Sequence, residues 1–249
     1  LDSGDMDESI RVLEQALGIL KVRMPKTLLE IFMGITYEFN RQMLHTLFPK
    51  LFIKNTYRAS QRDLIIVKLF NRLANLYYFS DMNKVFYLFL RSLNFSEGLG
   101  PCPELAFSYA NGGPAWAALF WFSRSFRDMD HGIRVSKQIG DKIMEGSNYS
   151  FYAMISHLAN KQVQAVEYAN RANTLLRGLG AYWELGVALA FRNHSSWVSG
   201  RMKEALAEVD DAVTLLRDSK AIHPLGWALM DRGYLHSFIG DLDEAAIND

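Results

Sequence analysis

Glycines that recur every forty residues constrain this fold more than any other feature of the chain. Gly100, Gly140 and Gly180 form one column, and Gly200 and Gly240 repeat the same interval. Self-similarity at a fixed period of this size is typical of solenoids, in which each unit packs only on its neighbours. The sequence therefore predicts an array of repeated units that presents a long curved surface. Small residues keep the same interval in two further columns: Ala106, Gly146, Gly186 and Gly226, and Ser92, Gly132, Ala172 and Ala212.

Apolar residues recur at helical spacing along the chain, and no segment shows the sustained alternation of a β-strand. Glycine or proline stands at most of the predicted helix ends, where a left-handed residue or a missing N–H stops a helix. We therefore expect an all-α fold, a helical-repeat solenoid of antiparallel helix pairs with a period of about forty residues. The predicted pairs are 61–79 with 81–99, 101–119 with 123–139, 141–158 with 161–179, 181–198 with 201–219, and 221–238 with a truncated 241–249.

The chain divides into three predicted regions. Residues 1–24 are the end of a preceding repeat, residues 25–60 are a long amphipathic helix with a basic linker, and residues 61–249 are about five helix pairs. The chain lacks an initiator methionine and stops within a helix pair, so we expect it to be a segment of a longer protein. In the long helix, the apolar face is predicted to contain Leu28, Ile31, Phe32, Ile35, Phe39, Met43 and Leu47.

Charge and composition argue against several classes of partner. The chain has 27 Lys and Arg against 27 Asp and Glu, so it lacks the positive field that attracts nucleic acid. The most apolar early segment carries charges and is predicted to be an amphipathic helix outside a membrane. Cys102 is the only cysteine, which excludes an internal disulfide, and no secretory signal opens the chain. We expect a cytoplasmic protein with neither nucleic acid nor membrane as a partner.

Two phrases resemble the second half of the tetratricopeptide repeat. They are Gly200-x4-Ala205-x3-Val209-x2-Ala212 and Asn160-x4-Ala165-x3-Ala169-x2-Ala172. The period of forty exceeds the usual thirty-four, and arginine stands near where that family has leucine. The resemblance implies a longer-armed, tetratricopeptide-like solenoid of right-handed twist.

A second resemblance covers residues 61 to about 245. Four parts of this stretch are similar to the helical region of STAND-class signalling ATPases. They are the run from Arg72 to Asp81, the phrase from Leu93 to Glu97 followed by Pro103-Glu104-Leu105-Ala106, the phrase Trp121-Phe122-Ser123-Arg124, and the phrase Ala181-Tyr182-Trp183-Glu184. In those multidomain proteins such a region follows an ATPase domain and is coupled to an output domain. The resemblance implies a regulatory arm in signal transduction.

No motif in the chain carries catalytic chemistry. There is no G-x4-G-K-[ST] loop and no H-E-x-x-H, and the six histidines lack metal-ligand spacing. Gly112-Gly113-Pro114 is expected to break a helix. We therefore expect no catalytic residue, no cofactor, no metal and no enzymatic activity in this segment.

Aromatic and arginine residues on the first helices of successive pairs are the candidate binding residues. Such side chains dominate binding hot spots. Arg192 and Arg232 occupy one column and are expected to project into one groove, with Trp183 and Trp227 near its wall and Tyr152 in the arginine column. Two adjacent guanidinium groups favour an anionic partner between them. The alternative is that these aromatic residues pack between repeats.

Together these features predict a regulatory interaction scaffold or sensor arm. It would bind a protein, a peptide or a small effector, contact sister domains of the parent chain, and control an attached signalling ATPase. The alternative is an architectural or assembly module that packs permanently against sister domains or other chains.

Overall fold

Residues in the left-handed conformation separate the helices of the repeat region. Five of them are glycines with φ between 72° and 85°, a conformation that glycine adopts without steric cost. Three others carry side chains at φ of 56° to 58°. Together they place one left-handed residue every twenty positions from 100 to 240, namely Gly100, Phe120, Gly140, Asn160, Gly180, Gly200, Lys220 and Gly240.

A computed structural model of the protein describes residues 3–54, 56–57, 59–78 and 80–241. Within these ranges the chain contains helices and no strand, which confirms the predicted all-α fold. The predicted helix at 241–249 lies, apart from Asp241, outside the described residues. The helices are α1 (Ser3–Ile19), α2 (Leu28–Leu47), α3 (Pro49–Phe52), α4 (Gln61–Tyr77), α5 (Met82–Ser96), α6 (Pro103–Ala118), α7 (Phe122–Ile139), α8 (Lys142–Leu158), α9 (Gln162–Leu176), α10 (Tyr182–Val198), α11 (Met202–Asp218) and α12 (Ile222–Ile239).

From α4 onward the helices form two layers. The first helices, which we define as α4, α6, α8, α10 and α12, each contact the next member of the set. The second helices, α5, α7, α9 and α11, each pack between two first helices, and in the described part of the chain they do not contact one another. The first helices therefore form a continuous layer whose outer side faces away from the second helices.

Small residues let these helices approach closely. A Cβ atom on Gly146 would lie 2.5 Å from the Leu176 side chain, and one on Gly132 would lie 1.9 Å from Oδ1 of Asn148. Side chains at these positions would push the helix axes apart, because helix interiors are close-packed. Gly132 and Gly146 are therefore packing positions.

The prediction that Gly112-Gly113-Pro114 breaks a helix was wrong. Helix α6 runs through all three residues. A Cβ atom on Gly113 would lie 2.5 Å from Cε of Met129, so the glycines make room for neighbouring side chains and do not form a turn. Proline is compatible with helical φ and removes a single backbone donor.

The predicted face of the long helix α2 was also partly wrong. Ile31 is buried as expected, but Leu28, Phe32 and Leu47 are exposed. The other buried residues of this helix are polar, and they are Glu38, Gln42 and His45.

The segment that follows α3 packs on the end of α5. The backbone N–H of Lys54 donates to the Glu97 carbonyl. A Cβ atom on Gly100 would lie 2.1 Å from the carbonyl oxygen of Thr56, so this crossing requires glycine.

Candidate interaction surface

Arg192 and Trp183 lie on opposite sides of α10. They are nine residues apart, which corresponds to about two and a half helical turns. Trp183 is 46% exposed, whereas Arg192 contacts side chains of the second helices. In α12, Arg232 and Trp227 are separated by a rotation of about 140°. The structure therefore does not place the two arginines in a groove walled by the tryptophans.

Both arginines are paired with carboxylates of α11. Arg192 Nε lies 3.3 Å from Glu208, and its guanidinium donates to Asn170 at 3.4 Å. Arg232 Nε lies 2.8 Å from Asp210. Asn170 and Asp210 are forty residues apart, so the same contact recurs one repeat along. These carboxylates neutralise the arginines, which removes the charge argument for an anionic ligand between them.

Tyr152 occupies the equivalent position one repeat earlier and is buried. Its ring stacks on Tyr168 with a centroid distance of 3.8 Å. Burial and the nearby Asp130 carboxylate raise the pKa of its phenol. Because it is only 6% exposed, Tyr152 lies in the packing between α8 and α9 and offers little surface to a partner in this conformation.

Trp183 and Trp227 are in contact with each other. Their ring centroids are 5.8 Å apart with an interplanar angle of 68°, the edge-to-face geometry that aromatic pairs favour. Phe151 of α8 lies 6.2 Å from Trp183. We name Phe151, Trp183 and Trp227 the aromatic row, which crosses three first helices. Trp183 and Trp227 remain 46% and 37% exposed, so the row is the part of the predicted site that is accessible.

Further apolar side chains are exposed on the three helices that carry the aromatic row. A large apolar patch on a protein surface usually marks an interaction site. The exposed apolar residues of the same three helices include Ile143, Leu158, Val198, Met230, Tyr234 and Phe238.

A polar cluster lies farther along the same helices. His194 Nε2 is 2.9 Å from Oδ1 of Asp231, and His157 Nδ1 is 3.0 Å from Oγ of Ser195. The two imidazole rings are 5.8 Å apart. Burial and His194 lower the pKa of His157, so this ring is neutral at pH 7. The first-helix surface thus combines an aromatic part with a hydrogen-bonding part.

A second polar cluster, buried between α2 and the repeats, has no counterpart in the sequence-based prediction. Glu97 is its centre. Its carboxylate accepts hydrogen bonds from Gln42 at 2.8 Å and Tyr109 at 3.0 Å, and it lies 2.5 Å from Nδ1 of His45. These contacts join residues up to 55 positions apart in the chain, so no local sequence pattern marks them.

A buried ion pair adjoins Glu97. Arg124 Nε lies 2.9 Å from Asp128, whose other oxygen accepts a bond from Trp116 Nε1 at 2.9 Å. Burial raises the pKa of Asp128 to about 6, although Arg124 opposes the shift. Arg127 and Arg124 both donate to the Thr46 hydroxyl.

A cavity of about 90 Å³ opens beside this buried cluster. Burial and Arg134 lower the pKa of His131, which lines the cavity, to about 4. Arg127 and Thr46 also line it, and Arg127 has no carboxylate partner within 4.0 Å in the described part of the chain. The cavity therefore offers hydrogen-bond donors and acceptors to a small polar molecule.

Other candidate chemistry is limited. Burial raises the pKa of the Cys102 thiol to about 11, which keeps it protonated at neutral pH. In the ranges that the structure describes, no three His, Cys, Asp or Glu side chains are placed to hold a metal ion. Over the same residues, no helix has both the length and the apolar character needed to cross a membrane.

Comparison of the chain with known proteins found a protein of similar fold. No family model matches the sequence, and no curated protein matches it. The chain is similar to the crystal structure of BtubC (BKLC) from P. vanneervenii, with a TM-score of 0.57 and 15% sequence identity. The match covers 90% of this chain and 89% of that one. This similarity supports the all-helical fold.

Proposed function

We propose that this chain is an interaction module whose first-helix surface binds an apolar segment of a protein or peptide partner. The exposed contact between Trp183 and Trp227 carries the proposal. Tryptophan buries a large area on binding and loses little conformational freedom, so an exposed pair held edge to face is a preorganised anchor. His194, which is partly exposed and held by the buried Asp231, supplies a polar contact farther along the same surface.

The module is proposed to be a right-handed, tetratricopeptide-like solenoid with a unit of about forty residues. The sequential contacts among first helices support this architecture, as does the regular interval between left-handed residues. Such an array presents one face of its first helices as a continuous binding surface.

We further propose that the module regulates a STAND-class ATPase. This part of the proposal rests on the sequence resemblance. A partner that binds one arrangement of the repeats more tightly than another would shift the ATPase between its states, whereas equal affinity for both arrangements would shift nothing.

A second candidate function is the sensing of a small polar effector in the cavity beside the Glu97 cluster. The cavity lies where residues of α2 meet residues of α6 and α7, and Thr46 and Arg124 on its wall bond to each other. A ligand there would alter how α2 sits on the repeats.

Selection of linear twelve-residue peptides from a phage-displayed library tests the main proposal. We expect apolar peptides to be enriched on the intact chain, and the Trp183→Ala/Trp227→Ala variant to bind them at least tenfold more weakly. Phe120→Ala is the matched control, because Phe120 is an exposed aromatic residue outside the row.

Equal binding by the double tryptophan variant would contradict the proposed binding surface. Self-association of the chain that the double variant abolishes would instead favour the assembly role. Sedimentation of both proteins distinguishes these outcomes.

A further inference from the structure

Helix α2 buries polar side chains on its inward face, beside the apolar Ile31, Ile35 and Phe39, and leaves apolar side chains on its solvent side. Three of its four buried residues are polar, namely Glu38, Gln42 and His45. Its solvent side is apolar instead, with Leu29 70% and Met33 64% exposed. We name this side the α2 stripe. Its exposed large apolar residues are Leu29, Phe32, Met33, Tyr37, Leu44 and Leu47.

The inward face of α2 is fixed by specific hydrogen bonds. Asn94 donates to the backbone and side-chain oxygens of Glu38 at 2.8 Å each, and Gln42 donates to Asn94 at 2.8 Å. A Cβ atom on Gly34 would lie 2.7 Å from the Tyr87 ring, so α2 also lies close against α5. Rotating α2 to bury its apolar side would leave these buried polar groups unpaired, which is costly. The stripe is therefore held outward.

The shape of the stripe matches a helix. Helix α2 has 20 residues and is therefore about 30 Å long. Its backbone groups are bonded within the helix, so it has no free edge for an added β-strand. A second helix that packs along α2 would bury the exposed row by fitting its ridges into the grooves between these side chains.

Basic residues flank the stripe. Between residues 19 and 54 the chain has six Lys and Arg and two Glu. Of the two glutamates, Glu30 pairs with Arg23 and Glu38 is buried. Lys26 is exposed at the start of α2, and Lys50 is exposed beyond its end. A second copy of α2 would bring like charges together in either orientation, which disfavours self-pairing.

Polar residues within the stripe favour a protein over a membrane. Thr36 and Asn40 are exposed midway along α2. The Asn40 amide donates to the Thr36 carbonyl at 2.8 Å, which leaves its own side-chain oxygen as an acceptor. In hydrocarbon this acceptor would be unpaired, whereas a partner helix can donate to it.

We propose that the α2 stripe docks an amphipathic helix of a partner protein, whose apolar face is flanked by acidic residues at both ends. The proposed helix lies along α2, buries the row from Leu29 to Leu47, and pairs its acidic ends with Lys26 and Lys50. This surface is separate from the aromatic row, and its docking does not depend on the function proposed for that row.

Binding of designed peptides to the full 249-residue chain tests the proposal. Three fluorescent twenty-residue peptides are compared by anisotropy: a helix with a leucine stripe and glutamate ends, the same helix with lysine ends, and a scrambled acidic sequence. We expect the acidic helix to bind at least tenfold more tightly than the other two. The Trp183→Ala/Trp227→Ala variant should bind it as the unmodified chain does.

Variants locate the contact. Met33→Asp/Leu44→Asp should weaken binding of the acidic helix at least tenfold with an unchanged melting temperature, because both side chains are exposed. Val163→Asp, at an 86% exposed position on α9, is the matched control. Lys26→Glu/Lys50→Glu changes only surface charge and should reverse the preference, so that the lysine-ended helix binds better.

Several results would overturn the proposal. Equal affinity for acidic and lysine-ended helices would exclude the charge pairing, and unchanged binding by the aspartate variant would exclude the stripe. Phosphatidylserine vesicles that bind the chain through Met33 and Leu44, without peptide binding, would identify a membrane surface instead. A dimer that dissociates in the aspartate variant would identify a second copy as the occupant.

Discussion

Gly186 of α10 lies directly against Pro224 of α12. A Cβ atom on Gly186 would be 2.4 Å from the proline Cβ. Two consecutive first helices therefore touch at a position where only glycine fits. The same column contains Gly226 one repeat later, and a Cβ atom built there would have no described atom within 4 Å apart from its chain neighbours and the backbone of its own helix. The two glycines share a sequence pattern and differ in their surroundings.

We expect Gly186→Leu to destabilise the fold and Gly226→Leu to leave it unchanged or slightly more stable. Overpacking a tight site costs about 1–3 kcal/mol, whereas replacing an unconstrained helical glycine removes an entropic cost of about 0.5–1 kcal/mol. Urea unfolding of the two variants measures the difference. Equal free energies of unfolding would show that Pro224 moves away without cost.

The contact between Arg192 and Glu208 gives a second prediction. Because both side chains are largely shielded, we expect Arg192→Met to lower stability by about 1 kcal/mol. A double-mutant cycle with Glu208→Gln should show favourable coupling between the two positions. Peptide binding at the aromatic row should be unchanged, since Arg192 lies on the opposite side of α10. Weaker binding with unchanged stability would restore Arg192 as a binding residue.

Local sequence signals predict where the helices of the repeat region begin and end. They do not predict which side chains of these helices are exposed. Glycines and apolar spacing located the repeat helices, whose observed ends lie within three residues of the predicted ones. The face that each side chain presents depends on neighbours distant in sequence. We expected Arg192 to lie in an open groove, but it pairs with Glu208 on the next helix. The spacing of residues in the sequence does not reveal such a contact between helices.

Helix α2 also shows that local sequence spacing does not predict which face of a helix is buried. Its apolar residues are more numerous than its buried positions, so spacing alone could not identify the inward face. The inward face is set by hydrogen bonds to Asn94 and Glu97, over fifty residues away. Likewise, Gly112-Gly113 is a turn signal locally but serves packing against Phe89 and Met129.

Left-handed residues at the helix ends give a third prediction. Phe120 has φ of 58° and is 83% exposed, so it bears backbone strain and contributes little packing. We expect Phe120→Gly to stabilise the protein by about 0.5–1 kcal/mol. Asn160→Gly should gain less, because asparagine tolerates this conformation. Gly140→Ala should cost about 1 kcal/mol, although the site is open. Thermal melts measure all three, and a destabilised Phe120→Gly variant would contradict the assignment of strain.

The buried cluster around Glu97 gives the final prediction, which concerns pH. Burial and Arg134 lower the pKa of His131 to about 4, whereas histidine in an unfolded chain titrates near about 6.5. As pH falls through this window the unfolded chain takes up a proton that the folded chain does not. His131 therefore lowers stability progressively between pH 6.5 and 4.

Asp128 acts in the opposite direction over nearly the same range. Burial raises its pKa to about 6, above the value of about 3.9 in an unfolded chain. The folded chain is protonated first as pH falls, so Asp128 adds stability between pH 6 and 4. The two groups offset each other in the unmodified protein, and single substitutions separate them.

We therefore expect opposite pH responses from two isosteric or near-isosteric variants. Between pH 7 and pH 4.5, His131→Gln should lose about 1 kcal/mol less stability than the unmodified chain, a value reduced because the ring is partly solvated. Asp128→Asn should lose more than the unmodified chain, since it lacks the compensating proton uptake. Urea unfolding at both pH values measures how much the free energy of unfolding of each protein changes with pH. Comparing these changes removes the pH-independent cost of losing the ion pair between Asp128 and Arg124. Parallel pH dependence in all three proteins would show that neither group titrates abnormally in the folded state.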